Sequence, residues 1–215
     1  IVAGDFTSVL GSTRNNIARL NANGTLDASF IPNPNGIVYA VAVQNDGDIV
    51  FGGRFSSVSS GGSSRTNLAR YNADGTLDTT FTTGTDSLGV VYALALDPSN
   101  RLVVGGQFTT VGGTARNNIA RLNQANGTLD TAFNPSANAN VRTIAIQGNG
   151  QVVLGGAFTS LQPNGAATAT TRNRIARVNS DGTLDTAFTV GANGWVNAIA
   201  LQADGKILYG GNFTR

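Results

Sequence analysis

Cysteine, histidine, methionine and glutamate are all missing from the 215 residues, and lysine occurs once, at position 206. Each absence removes some chemistry. Without cysteine or histidine, zinc centres, thiol nucleophiles and Ser-His-Asp triads lose required members. Without glutamate, the Glu-based acid/base pairs go as well. The near-absence of Glu and Lys also removes the usual surface helix formers and points to an all-β chain. Charged residues make up 12%, against roughly 25% in average soluble domains. A hydrophobic content of 40% still allows a core and argues against disorder. The net charge of +2 offers no basic stripe, so no nucleic-acid partner is expected. No apolar run approaches the ~20 residues of a membrane span, so no membrane insertion is expected. Lack of cysteine does not fix the compartment. With no initiator Met and no charged-then-apolar leader, the chain is expected to be a processed or excised piece.

What is present is repetition. Gly-Thr-Leu-Asp occurs at 24–27, 75–78, 127–130 and 182–185, spaced by 51, 52 and 55 residues. Arg-x-[Asn/Arg]-[Ile/Leu]-Ala-Arg recurs at 14–19, 65–70, 116–121 and 172–177, and Gly-x-Phe-[Thr/Ser] recurs around Phe6, Phe55, Phe108, Phe158 and Phe213. Short runs with a hydrophobic period of two, bounded by Gly, Asn and Asp, read as strands joined by turns. Four strands can be placed per unit. The innermost covers 38–43, 91–96, 141–146 and 196–201, where alternating small residues allow close approach of neighbouring units. The second ends in Gly-Gly-x-Phe, a variable loop precedes the third, and an Asx-Gly turn folds the third onto Thr-Leu-Asp-x-x-Phe. The fold expected is a β-propeller of four-stranded antiparallel blades of about 50 residues. It forms a single repeat domain, 1–215, with units at 1–36 (partial), 37–89, 90–140, 141–194 and 195–215 (partial).

These elements resemble the delta-60 repeat of bacterial secreted and surface proteins, itself distantly similar to NHL repeats. The residues that carry the resemblance are Gly-Gly-x-Phe-Thr, Arg-Asn-Asn-Ile-Ala-Arg-Leu-Asn and Asp-Gly-Thr-Leu-Asp-x-x-Phe. The likeness covers essentially the whole chain and implies a propeller with an extracellular or cell-surface location, but no particular reaction. The third copy departs from the pattern by an extra residue within 123–126, and the fourth by Arg174 in place of Asn.

A residue needed in every unit is expected to solve a packing or turn problem shared by all units. The Asx-Gly segments, such as Asn72, Asp74 and Asp78, alternate oxygen side chains as a calcium loop does. With so few carboxylates, a hairpin turn is the preferred reading and no metal or other cofactor is expected. Arg19 and Arg121 are expected to pair across the hairpin with the Asp of Thr-Leu-Asp. Arg14, Arg65, Arg116 and Arg172 could ring an anion or tie segments through carbonyls, the latter being preferred. The Gly-Gly pairs lack the context of a phosphate loop and read as close backbone approach.

Non-recurring positions carry the ligand expectations. At the entry of the innermost strands stand Tyr39, Tyr92, Arg142 and Asn197, with the only tryptophan, Trp195, beside the last. Grouped at a channel mouth, these five could stack on a sugar or grip a peptide. The competing and preferred reading packs Trp195 between blades and leaves the tyrosine hydroxyls to water. The function expected is a non-catalytic scaffold, adhesion or binding module. A carbohydrate-binding propeller is the alternative, and an Asp-based hydrolase or lyase built on Asp86 the third reading. The expected partner is a protein or glycan on the loop face. Counting strands gives 17 where four blades of four need 16, so the chain is expected to end mid-blade. It would then belong to a longer array or pair its spare strand with another copy, through unpaired edges.

Overall fold

The computed structural model describes residues 1–59 and 62–214, so Arg215, in the last expected unit, lies outside the described residues. Every strand pairing among them is antiparallel. Unit 1 contributes β1 (Val2–Ala3), β2 (Ser8–Val9), β3 (Ser12–Thr13) and β4 (Ile17–Ala18). Unit 2 holds β5 (Val38–Val43), β6 (Ile49–Gly53), β7 (Ser57–Val58), β8 (Ser63–Ser64) and β9 (Leu68–Tyr71). Unit 3 repeats that order with β10 (Val90–Leu96), β11 (Leu102–Gln107), β12 (Thr110–Val111), β13 (Thr114–Ala115) and β14 (Ile119–Leu122). Unit 4 does so with β15 (Val141–Ile146), β16 (Val152–Gly156), β17 (Ser160–Leu161), β18 (Thr170–Thr171) and β19 (Ile175–Val178). Unit 5 supplies β20 (Val196–Leu201) and β21 (Ile207–Gly211).

Each complete unit is a meander, β5-β6-β9, β10-β11-β14 or β15-β16-β19. The fourth segment joins it through one antiparallel bridge, Tyr71↔Leu77, Leu122↔Leu129 or Val178↔Leu184. The four-segment order of the sequence is therefore present, with the last segment shortened. The reason is local. The Asp closing Thr-Leu-Asp accepts the amide two residues on, at 2.8 Å for both Asp27–Ser29 and Asp78–Thr80. This Asx turn bends the backbone off the ladder and drives Phe30, Phe81 and Phe133 into the core. The variable loop between second and third strands is more ordered than its sequence indicates, closing as the two-residue ribbons β2-β3, β7-β8, β12-β13 and β17-β18. In unit 4 it also holds a 3-10 turn at Pro163–Gly165.

The core lies between units. Ala42, Val50 and Leu68 of unit 2 pack with Val91, Leu102, Val104 and Phe108 of unit 3. Each of these buried Val, Leu and Phe side chains contributes roughly 1.5–3 kcal/mol. A glycine sets the spacing: a Cβ on Gly52, Gly105 or Gly155 would collide with Val91, Val141 or Val196 of the following unit. Arginines lock the outer part of the same interface. Arg19 pairs with Asp27 at 2.7 Å and donates to the Ala73 carbonyl of the next unit at 2.7 Å. Arg121 pairs with Asp130 at 2.8 Å and donates to the Ser180 carbonyl at 2.6 Å. The hairpin ion pair expected from sequence is thus present and extends into the neighbouring blade. Arg14, Arg65 and Arg116 each donate to two backbone carbonyls, the preceding residue's and one at or next to the closing Asp of Thr-Leu-Asp, and so tie segments together as preferred. Arg172, the fourth of the set, donates to the carbonyl of its neighbour Thr171 and departs from that reading.

Candidate binding site

Tyr39, Tyr92, Arg142 and Asn197 occupy the same structural position, the second residue of the repeated innermost-strand motif. In each case the ladder skips that residue. The register shifts between Val38 and Ala40, Val91 and Ala93, Val141 and Thr143, and Val196 and Ala198. A β-bulge leaves its extra residue unpaired and re-aims its side chain. The sequence signal for it is the second glycine of each Gly-Gly pair. A Cβ on Gly53, Gly106, Gly156 or Gly211 would strike the carbonyl of Ile37, Val90, Asn140 or Trp195, so only glycine admits the bulged strand. One Gly-Gly pair therefore does two jobs: its first glycine receives the next blade and its second accommodates the bulge.

The bulged side chains meet across units. The Tyr39 and Tyr92 rings lie 5.6 Å apart. Arg142 stacks its guanidinium over Trp195, 4.4 Å from the ring centroid, and donates to Asn197 Oδ1 at 3.3 Å. Asn197 in turn donates to Asn212 Oδ1 at 2.6 Å. Tyr39 and Trp195 are 47% and 45% exposed. Trp195 thus packs against Arg142 of the preceding unit, as the preferred sequence reading had it between blades, and keeps nearly half of its surface open. The bulge and the Arg142 stack hold it at the surface, since a cation over the indole stabilises a ring that water also reaches. All five expected residues fall into two clusters, a tyrosine pair and an Arg-Trp-Asn group.

Sequence reasoning missed Arg174. In units 1 to 3 the equivalent residues Asn16, Asn67 and Asn118 adopt φ near +63°, a region Asn tolerates. Arg174 adopts φ +67° in unit 4. It lines a cleft of about 320 Å³ with Asn193, Gly194, Trp195 and Asn212. A strained arginine beside the exposed tryptophan is the kind of outlier that marks a site. The signal was legible as the one departure from Asn in the repeat.

Asp86 has a different role from the one weighed for it. Its Oδ2 accepts the Thr109 and Thr110 amides at 2.6 and 3.1 Å. Asn35 and Asn138 do the same for Ser56 and Ser57 and for Thr159 and Ser160, and Asn193 accepts the Thr214 amide at 2.9 Å. This is a recurrent clasp between the loop before the innermost strand and the segment after the second. Burial alone would raise the Asp86 pKa, but the hydrogen bonds from Thr109 and Thr110 outweigh it and hold the carboxyl below its ordinary value. A general acid needs the opposite shift. Asp48 is the described carboxyl whose pKa rises, through burial and then the charge of Asp46, and it accepts the Ala73 amide at 3.1 Å. In the Asx-Gly turns, Asn23 and Asp74 accept both the amide and the hydroxyl of Thr25 and Thr76. Those oxygens are turned into the hairpin, which matches the preferred reading.

The meanders, inter-unit core and variable inner-strand residues define a propeller-type repeat protein. The model of the family described as "Domain of unknown function (DUF5122) beta-propeller" matches residues 1–30, 44–81, 98–133, 147–188 and 202–215, and the chain belongs to that family. No curated protein matches. Among solved structures, the WD40 beta propeller domain of Doa1 superposes with a TM-score of 0.55 at 12% identity, over 81% of this chain and 48% of that one. XC5397 from Xanthomonas campestris, a gluconolactonase, superposes with a TM-score of 0.53 at 14% identity, over 90% and 61%. At these identities the likeness carries the fold alone, and the chain spans only about half to three-fifths of either relative. The gaps between matched segments contain Tyr39, Tyr92, Arg142, Trp195 and Asn197.

Proposed function

We propose that the protein is a non-catalytic binding module of a secreted or surface-attached bacterial protein, whose ligand docks on the bulged residues of the innermost strands. The observation that carries the reading is the bulge repeated at Tyr39, Tyr92, Arg142 and Asn197. A constant Val and Gly-Gly frame holds a position whose side chain differs from unit to unit, which is how repeat scaffolds build binding faces. The extracellular placement rests on the repeat resemblance. Carbohydrate is the second reading, favoured by Trp195 exposed beside the amides of Asn193 and Asn212 at one cleft. Aromatic faces with adjacent amides suit the apolar face and hydroxyl edge of a sugar.

Screening wild type and Trp195→Ala against a glycan array and a peptide library tests both. Binding that falls about tenfold or more in Trp195→Ala supports the Arg-Trp-Asn cluster as the site, and the array on which it falls assigns the ligand class. Binding unchanged by Trp195→Ala and by Tyr39→Ala with Tyr92→Ala removes both clusters as the site. Turnover of any captured ligand would overturn the non-catalytic reading.

A further inference from the structure

Arg54, one residue past the Gly-Gly pair of β6, is an exposed cation that the fold does not use. Among the described residues every other arginine donates a side-chain hydrogen bond. Arg54 donates none, and none of the ion pairs includes it. We propose that Arg54 and the adjoining pair Tyr39 and Tyr92 form a subsite for a carboxylate-bearing sugar, a uronic acid residue of a polysaccharide. This rests on the bulged residues being the docking face and names the ligand class that one part of that face takes.

A difference between repeats explains why Arg54 is free. The residue after Gly-Gly meets the residue that precedes the innermost valine of the following unit. In units 3 and 4 these are Gln107 and Asn140, and Asn140 Nδ2 donates to Gln107 Oε1 at 3.3 Å. In units 2 and 3 they are Arg54 and Val90, and the buried valine side chain offers a guanidinium no acceptor. The Asp86 carboxylate, on the loop across the cleft, is committed elsewhere, since its Oδ2 accepts the Thr109 and Thr110 amides.

Arg54 lines a cleft of about 220 Å³ with Asn35, Phe55, Ser56, Asn67 and Ser87. The walls are fixed. Buried Asn67 accepts the Phe55 amide at 3.1 Å and donates to the Asp86 carbonyl at 3.0 Å, so it holds the strand end bearing Arg54 against the loop bearing Ser87. Asn35 donates to Ser56 Oγ at 2.9 Å, which leaves the Ser56 hydroxyl proton for a ligand, and Ser87 is exposed. A planar guanidinium matches a carboxylate through two parallel bonds, and the hydroxyls suit the hydroxyl edge of a sugar. One cation with Asp86 close by favours a monoanion over a phosphate dianion. Tyr39 stands beside Arg54 on the same hairpin: the Arg54 amide donates to the Ile37 carbonyl at 2.9 Å, and Tyr39 is the bulged residue of the facing strand. At the equivalent places Asn197 and Asn212 bond side chain to side chain. The Tyr39 and Tyr92 rings therefore supply an aromatic face next to the guanidinium, on which the C–H face of the sugar stacks. The side chain of an acidic peptide would meet the same cation but has neither a hydroxyl edge for the serines nor a ring face for the tyrosines.

Titration calorimetry of the intact protein with oligogalacturonate, its methyl ester and poly-glutamate tests this. The wild type is expected to bind the acid about tenfold or more tighter than the ester, which keeps the sugar and loses the charge. Arg54→Gln gives unit 2 the residue type that unit 3 carries at Gln107. It should leave the melting temperature and the affinity for the ester unchanged and abolish the preference for the acid. Tyr39→Ala with Tyr92→Ala should weaken acid and ester alike. No binding of the acid, equal binding of acid and ester, or a preference untouched by Arg54→Gln overturns the proposal. So does poly-glutamate bound as tightly as the oligogalacturonate and dependent on Arg54, which would assign an acidic peptide instead. If the tyrosine changes weaken binding and Arg54→Gln does not, the acid subsite falls while the docking face stands.

Discussion

Arginine does different work at neighbouring repeat positions, and its surroundings separate the roles. Arg121 is almost fully buried, paired with Asp130, stacked 4.3 Å from Phe133 and bonded into the next unit. Arg177 has the same ion pair and a similar stack on Phe188, but is more exposed and reaches Gln147 within its own unit. Removing one partner of a buried pair leaves an uncompensated charge, so Arg121→Ala should cost about 3–5 kcal/mol. Arg177→Ala should cost about 1 kcal/mol. Urea denaturation of the two variants checks this, and equal losses would show that the inter-unit bond contributes little. Arg174 is the opposite case, carrying a left-handed backbone that its neighbours assign to Asn. Arg174→Asn should stabilise the fold by about 1 kcal/mol, read as a higher melting temperature. The same variant should bind ligand more weakly if the strain is kept for the cleft beside Trp195.

At the scale of elements, the strands were legible and the devices that position side chains were not. Alternating Val and Ala between Asx-Gly turns located β5, β10, β15 and β20 to within a residue, because hairpin chemistry and period-two burial leave few alternatives. The ribbons such as β7-β8 escaped notice because two residues with one apolar side chain are too few to show a hydrophobic period. The bulges escaped because their evidence lies in the partner strand, in the second glycine of each pair. The Arg142 stack on Trp195 joins residues from different units and has no local signature. The clasp was hidden by its own variation, since Asn and Asp alternate within loops of unequal length. That variation gives a direct test. Asp86→Asn should be nearly neutral, because Asn35 and Asn138 already serve the same role. Asp86→Ala leaves the Thr109 and Thr110 amides without their acceptor and should cost about 1–3 kcal/mol. Thermal melts of the pair distinguish a clasp from a catalytic carboxylate, for which both changes would spare stability.

For the whole molecule, a composition without histidine and glutamate shapes the response to pH as much as it narrows the chemistry. The carboxyls of Asp27, Asp74 and Asp181 are held below the ordinary value, first by hydrogen bonds from the side chains of Ser29, Thr76 and Thr183. Arg177 does this for Asp185. At Asp78, burial pushes upward but the bonds from Thr80 and Arg70 prevail. A carboxyl whose pKa is lower folded than unfolded adds stability above its unfolded value, about 3.9. That stability is lost as pH falls through the folded value. Asp48, shifted upward, works in the opposite direction but alone. At the alkaline end, burial raises the pKa of Tyr71, so its contribution is present below the unfolded value near 10 and is lost as pH rises through the folded one. Nothing of the histidine type titrates between those limits. The melting temperature should therefore be level from about pH 5 to 9, fall steeply below about pH 4 and decline again above about pH 10. Calorimetry across that range provides the check: a step between pH 5 and 8 would require a strongly shifted carboxyl, and with it a reason to reopen the case for acid/base chemistry.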